Sequence, residues 1–108
     1  MISLVVALLL PVAADNSAKV SRDVYSKCIK EFVRTSAEKK LDAPGFAAAF
    51  NGVCRDQEAA FKKAMVTSEV ALGIKRAISE KGVADEVNDY RAMAKEDFEA
   101  QLASAPKP

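Results

Sequence analysis

The chain has 108 residues with 16 Lys and Arg against 15 Asp and Glu, two Cys, and neither His nor Trp; half of it is hydrophobic. That is one domain's worth of chain and enough for a modest core. A net charge of +1 lacks the basic excess of a nucleic-acid binder, and without His the Ser–His and Cys–His nucleophile pairs, c-type haem attachment and common zinc sites are excluded.

Residues 1–14 carry no charged side chain, and residues 2–10 are apolar except for Ser3 before Pro11 interrupts them. This is the h-region of a secretory signal. Such signals want small residues at the third and first positions before the cut, which Val12 and Ala14 supply, so cleavage is expected between Ala14 and Asp15, with Ala18 as the alternative. The segment departs from the pattern in having no Lys or Arg ahead of the apolar run. A spanning helix needs about 20 apolar residues, and this run stops at Asp15. The expected organisation is a signal peptide over 1–14, a helical domain over 15–103 and a disordered tail over 104–108, exported to the periplasm or secreted, without stable membrane insertion.

Both cysteines, Cys28 and Cys54, fall in the mature part, and an oxidising compartment favours pairing them. Their separation fits neither a thioredoxin-like Cys-x-x-Cys site nor a haem motif. Around Cys28, residues 21–39 read as an amphipathic helix. Val24, Cys28 and Phe32 recur every fourth residue with Tyr25, Ile29 and Val33 beside them. Ser21 is its expected N-cap, and Lys39 with Lys40 suit its C-terminal turn.

A turn follows over 41–45, with Asp42 as N-cap and Pro44 in the first turn of the next helix. Phe46, Phe50, Val53, Gln57, Phe61, Ala64 and Ser68 then trace one face, leaving Arg55, Glu58, Lys62 and Lys63 outside it. From a turn centred near Asp42, Cys28 lies 14 residues back and Cys54 12 forward. At 1.5 Å per residue the two differ in height by only about 3 Å, so a disulfide between the two helices is expected.

Beyond Ser68 the apolar stripe shifts to Val70, Ile74, Ala77 and Ile78, with Gly73 at the transition. Either the helix breaks there and a compact bundle results, or one long central helix runs to Lys81 with Gly82 as its cap. The long helix is the expectation, giving an all-α, three-helix antiparallel arrangement. The last helix, residues 83–103, carries Val87, Tyr90, Ala94, Phe98 and Leu102 on one side.

Charge is uneven along the chain. Residues 15–40 hold seven Lys and Arg against four acids, and residues 83–103 hold two against six. Complementarity between helices of one fold accounts for such a split. The acids of the last helix, Asp85, Glu86, Asp89, Glu96, Asp97 and Glu99, follow no EF-hand spacing and read as a solvated face. Tyr90 and Arg91 carry no special signal, and no catalytic residue, cofactor or metal ligand is expected.

The stretch Cys54-Arg55-Asp56-Gln57-Glu58-Ala59-Ala60-Phe61, with Gly73-Ile74 and Gly82-Val83-Ala84 later, resembles short exported two-cysteine helical proteins of proteobacteria. The resemblance implies location and fold, not activity. The expected function is that of a non-enzymatic envelope module binding another protein, or a second copy, through an apolar helix face. The alternative is a periplasmic carrier of a small ligand or divalent cation.

Overall fold

The computed structural model describes residues 3–104, with side chains from residue 16 onward, and the described residues form four helices and no strand. These are α1 (Ser3–Glu38), α2 (Ala43–Phe50), α3 (Arg55–Ala71) and α4 (Arg76–Ser104). The expected signal peptide with its Ala14–Asp15 cut lies outside the described side chains, and residues 105–108 of the expected tail lie outside the described residues. Ser104 belongs to α4, where its hydroxyl donates to the Ala100 carbonyl.

α1, α3 and α4 each pack against the other two. Arg22 of α1 pairs with Glu86 of α4 and Tyr25 meets Tyr90, so these two helices run parallel. Arg22 also reaches Met65 and Tyr25 stacks on Phe61, which sets α3 antiparallel to α1. The buried stripe of α1 is Ala18, Tyr25, Ile29, Val33 and Ser36, the repeat of a helix covered along one side. Ser21, the expected N-cap, lies inside α1, which begins well upstream of it.

α1 stops at Glu38, and Lys40 takes a positive φ of 54° as the chain turns. Asp42 is the N-cap of α2, its carboxylate accepting from the Gly45 amide at 2.7 Å, and Pro44 occupies the first turn. Both features match the sequence reading.

The long central helix is corrected. Residues 42–81 form α2, a break over residues 51–54, α3, a second break over residues 72–75 and the start of α4. The first break follows from Asn51 and Gly52, poor helix formers, and from Cys54, whose φ of 60° is left-handed. The second falls at Gly73, whose φ of 97° only glycine adopts without strain. The apolar shift after Ser68 was the mark of this corner. Gly82, expected as a cap, sits inside α4, and Ile74 and Ile78, which continued the expected apolar stripe, are exposed.

The sulfurs of Cys28 and Cys54 lie 2.05 Å apart, at disulfide distance, with their Cα atoms 6.0 Å apart. The expected pairing is right by a different route. Cys54 reaches Cys28 from the N-cap of α3 rather than from the middle of a straight helix. One aromatic cluster fills this end of the bundle, where Phe46 stacks on Phe98 at 4.1 Å and on Phe50 at 5.0 Å, with Phe32 beside them.

Candidate functional site

Beside the cysteines, one buried polar cluster joins three helices. Glu58 of α3 is buried, and its carboxylate accepts from the Arg91 Nε at 2.7 Å, the Arg55 Nη1 at 2.7 Å and the Tyr25 hydroxyl at 3.0 Å. Arg91 of α4 donates its other nitrogens to the carbonyls of Phe50 and Val53, both at 2.9 Å, and its guanidinium lies 4.7 Å over the Phe50 ring. One side chain thus closes the exposed end of α2 and the turn that leads to Cys54. A helix C-terminus leaves carbonyls without intrahelical partners, and here a guanidinium fork satisfies them.

The titration of the cluster follows from this geometry. Burial pushes Glu58 up, but the hydrogen bonds from Arg91, Arg55 and Tyr25 outweigh it and hold the carboxyl below its ordinary range. Burial, then the bond to Glu58 and its charge, push Tyr25 up to about 12. Glu58 is therefore an acceptor with no proton to give at neutral pH, and Tyr25 keeps its own. Such a cluster positions backbone; it is not poised for acid–base work, which wants a pKa near the operating pH and a reachable substrate proton.

No protein-family model, curated protein or solved structure matches this chain. Function has to be read from the surface and the cluster themselves.

Several grooves run between the helices, the largest of about 660 Å³ between α1 and α4. A groove of about 210 Å³ lies between α2 and α4, with Ala43, Ala47 and Phe50 on one wall and Lys95 and Phe98 on the other. A larger one of about 450 Å³ runs between α1 and α3, floored by small residues, Ser17 and Ser21 opposite Ala60, Ala64, Ser68 and Ala71. On α1, next in sequence to the lining Ser21 and one turn on, Val20 and Val24, four residues apart, are 54% and 50% exposed. Val24 was expected in the core stripe; the stripe is centred instead on Tyr25 and Ile29.

The carboxylates of α4 do not converge. Asp85 pairs with Lys81, Glu86 with Arg22, and Asp97 accepts from Gln101. Among the described residues no three of His, Cys, Asp and Glu are placed to hold a metal ion. The aromatics stand where packing put them, with Phe46, Phe61 and Phe98 fully buried.

Sequence reasoning missed Glu58 and Arg91. Glu58 had been placed on the outer face, although it follows Cys54 by four residues and precedes Phe61 by three, which is the spacing of the buried side. Arg91 lies 33 residues from Glu58 and about 40 from the carbonyls that it caps. No local pattern announces such a contact.

Proposed function

We propose that this is an exported, non-enzymatic helical protein, cut between Ala14 and Asp15 and stapled by a Cys28–Cys54 disulfide, which serves the bacterial envelope by binding another protein. The α1–α3 groove carries the reading. Its lining is mostly small Ala and Ser side chains, which admit a partner helix closely, and the exposed Val20 and Val24 of the same helix α1 offer apolar contact at helical spacing. Exposed valines beside a small-residue floor on a crosslinked bundle suit recognition by a preorganised surface. Among the described residues no helix is long and apolar enough to cross a membrane. The closed Glu58–Arg91–Tyr25 cluster supports a non-enzymatic role, because its hydrogen-bonding groups serve one another and the backbone.

Two measurements test this together. The intact mass of protein from a periplasmic extract, alkylated with and without prior reduction, is expected to start at Asp15 and to take up alkylating agent only after reduction; an unprocessed chain with free thiols refutes export and staple. A photocrosslinking residue in place of Val24 is expected to give a discrete protein adduct that Ala64→Arg, which fills the groove, abolishes. Absence of an adduct, or one indifferent to Ala64→Arg, refutes the groove.

A further inference from the structure

At the end of the bundle away from the aromatic cluster, residues 71–78 are exposed without interruption. Among them Leu72 is 77%, Ile78 63% and Ile74 40% exposed. Three large apolar side chains within seven residues, all turned to solvent, are not the scattered singles of an ordinary surface. The corner is shaped by its own local hydrogen bonds. Gly73 turns the chain at a φ of 97°, the amides of Leu72, Gly73 and Ile74 bond back to Ser68, Val70 and Glu69, and the buried Ser79 hydroxyl donates to Glu69 at 2.7 Å.

Charge gathers at the same place. Between residues 62 and 82 the chain has Lys62, Lys63, Lys75, Arg76 and Lys81 against only Glu69 and Glu80, while the chain as a whole is +1. Lys62, Lys63 and Arg76 line one groove of about 640 Å³ between α3 and α4, and among the described residues none of them, nor Lys75, is in an ion pair. Lys75 and Arg76 moreover stand at the start of α4, which has no acidic residue in its first turn. The positive end of the helix dipole disfavours cations there, and although Glu80 lines the same groove, no ion pair among the described residues offsets them.

We propose that the α3–α4 corner is a reversible docking site for an anionic lipid surface, with Leu72, Ile74 and Ile78 entering the interfacial layer and Lys62, Lys63, Lys75 and Arg76 meeting its phosphates. Apolar side chains exposed on a segment with an excess of cations match a bilayer interface on both counts, apolar depth and negative potential. Charge complementarity selects the occupant, since an apolar protein groove would leave four cations unpaired. The site shares no residue with the α1 side of the α1–α3 groove and rests on different observations from the function proposed there, although Lys63 and Leu72 also line that groove.

The test is flotation of the processed protein, its signal removed, with vesicles of phosphatidylethanolamine and phosphatidylglycerol or of phosphatidylcholine alone. Binding to the anionic vesicles only, declining with salt, is expected. Lys75→Gln with Arg76→Gln should weaken it about 30-fold, the factor for two lost cations at about 1 kcal/mol each. Leu72→Ser with Ile78→Ser should leave only a residual binding that salt removes. All four positions are exposed, so equal thermal melts will show that each variant is folded. Failure of the wild type to float, variants that bind as it does, or a crosslinker at Ile78 that captures an acidic protein instead of lipid would each overturn the proposal.

Discussion

Replacing Arg91 with Met keeps an aliphatic stem but removes the guanidinium, and with it the charge, the fork and the stacking over the Phe50 ring. Three hydrogen bonds go with it, one at 2.7 Å to Glu58 and two at 2.9 Å to the Phe50 and Val53 carbonyls. Removing one partner of a buried ion pair costs about 3–5 kcal/mol, because the other charge is left in a poorly solvated site. Arg55 and Tyr25 still serve Glu58, which places the expected loss near the lower end, about 3 kcal/mol. A domain of this size has about 5–15 kcal/mol in all, so the variant should remain folded with a markedly lower urea midpoint and an unchanged denaturant slope. Arg91→Lys, which retains the charge and loses the fork, should fall between. In a double-mutant cycle with Glu58→Gln the two positions should couple by more than about 1 kcal/mol. A loss for Arg91→Met under about 1 kcal/mol, the worth of a surface pair, would refute the claim that this side chain holds the α2–α3 turn.

Tyr25 and Glu58 make opposite predictions at the two ends of the pH scale. The raised pKa of Tyr25 means that its contribution is complete below the ordinary tyrosine value near 10 and is lost as pH climbs towards about 12; ultraviolet titration should show one tyrosine ionising that late, and Tyr25→Phe should remove it. The depressed pKa of Glu58 means that its contribution is present above the ordinary glutamate value near 4.3 and fades as pH falls below it, a slope in acid unfolding that Glu58→Gln should flatten. Reducing the Cys28–Cys54 pair, whose positions are 26 residues apart, should lower stability by about 3–4 kcal/mol on the loop-entropy argument, measured by urea unfolding with and without reductant.

Legibility in the sequence followed the range of the interactions. The inner face of α1, the Asp42 cap and the core positions Val87, Ala94 and Phe98 depend on neighbours one or two turns away, and periodicity showed them. The cysteine pairing was also legible, because height along two helices was nearly the same whether or not the second was continuous. The break at residues 51–54 was hidden: Val53 and Cys54 continue an apolar helical pattern, and Cys54 adopts a backbone shape usually left to Gly or Asn. What holds that shape comes from α4, through Arg91, so only the folded chain reveals it. At Gly73 both readings were open, and a preference for continuity chose wrongly although the drift of the apolar stripe had marked the corner. The exposure of Val24 escaped for a related reason, since an apolar residue near a core stripe is read as core until its neighbours are placed.

Apart from Ser36 and Glu58, the buried residues fall into two unequal groups along the bundle. Tyr25, Ile29, Val33, Phe46, Phe50, Phe61, Val87, Ala94 and Phe98 belong to one cluster with Cys54, whereas Ala18, Val66, Ser79 and Val83 are buried outside it. Cooperative opening units follow the density of such contacts. Amide exchange should accordingly grade from slow in the middle of α1, α3 and α4 to fast on the approach to Gly73, with the far turns opening as a subunit while the aromatic end stays closed. The surface formed by residues 71–78 therefore sits on the part of the molecule that can rearrange against a soft partner without unfolding the rest.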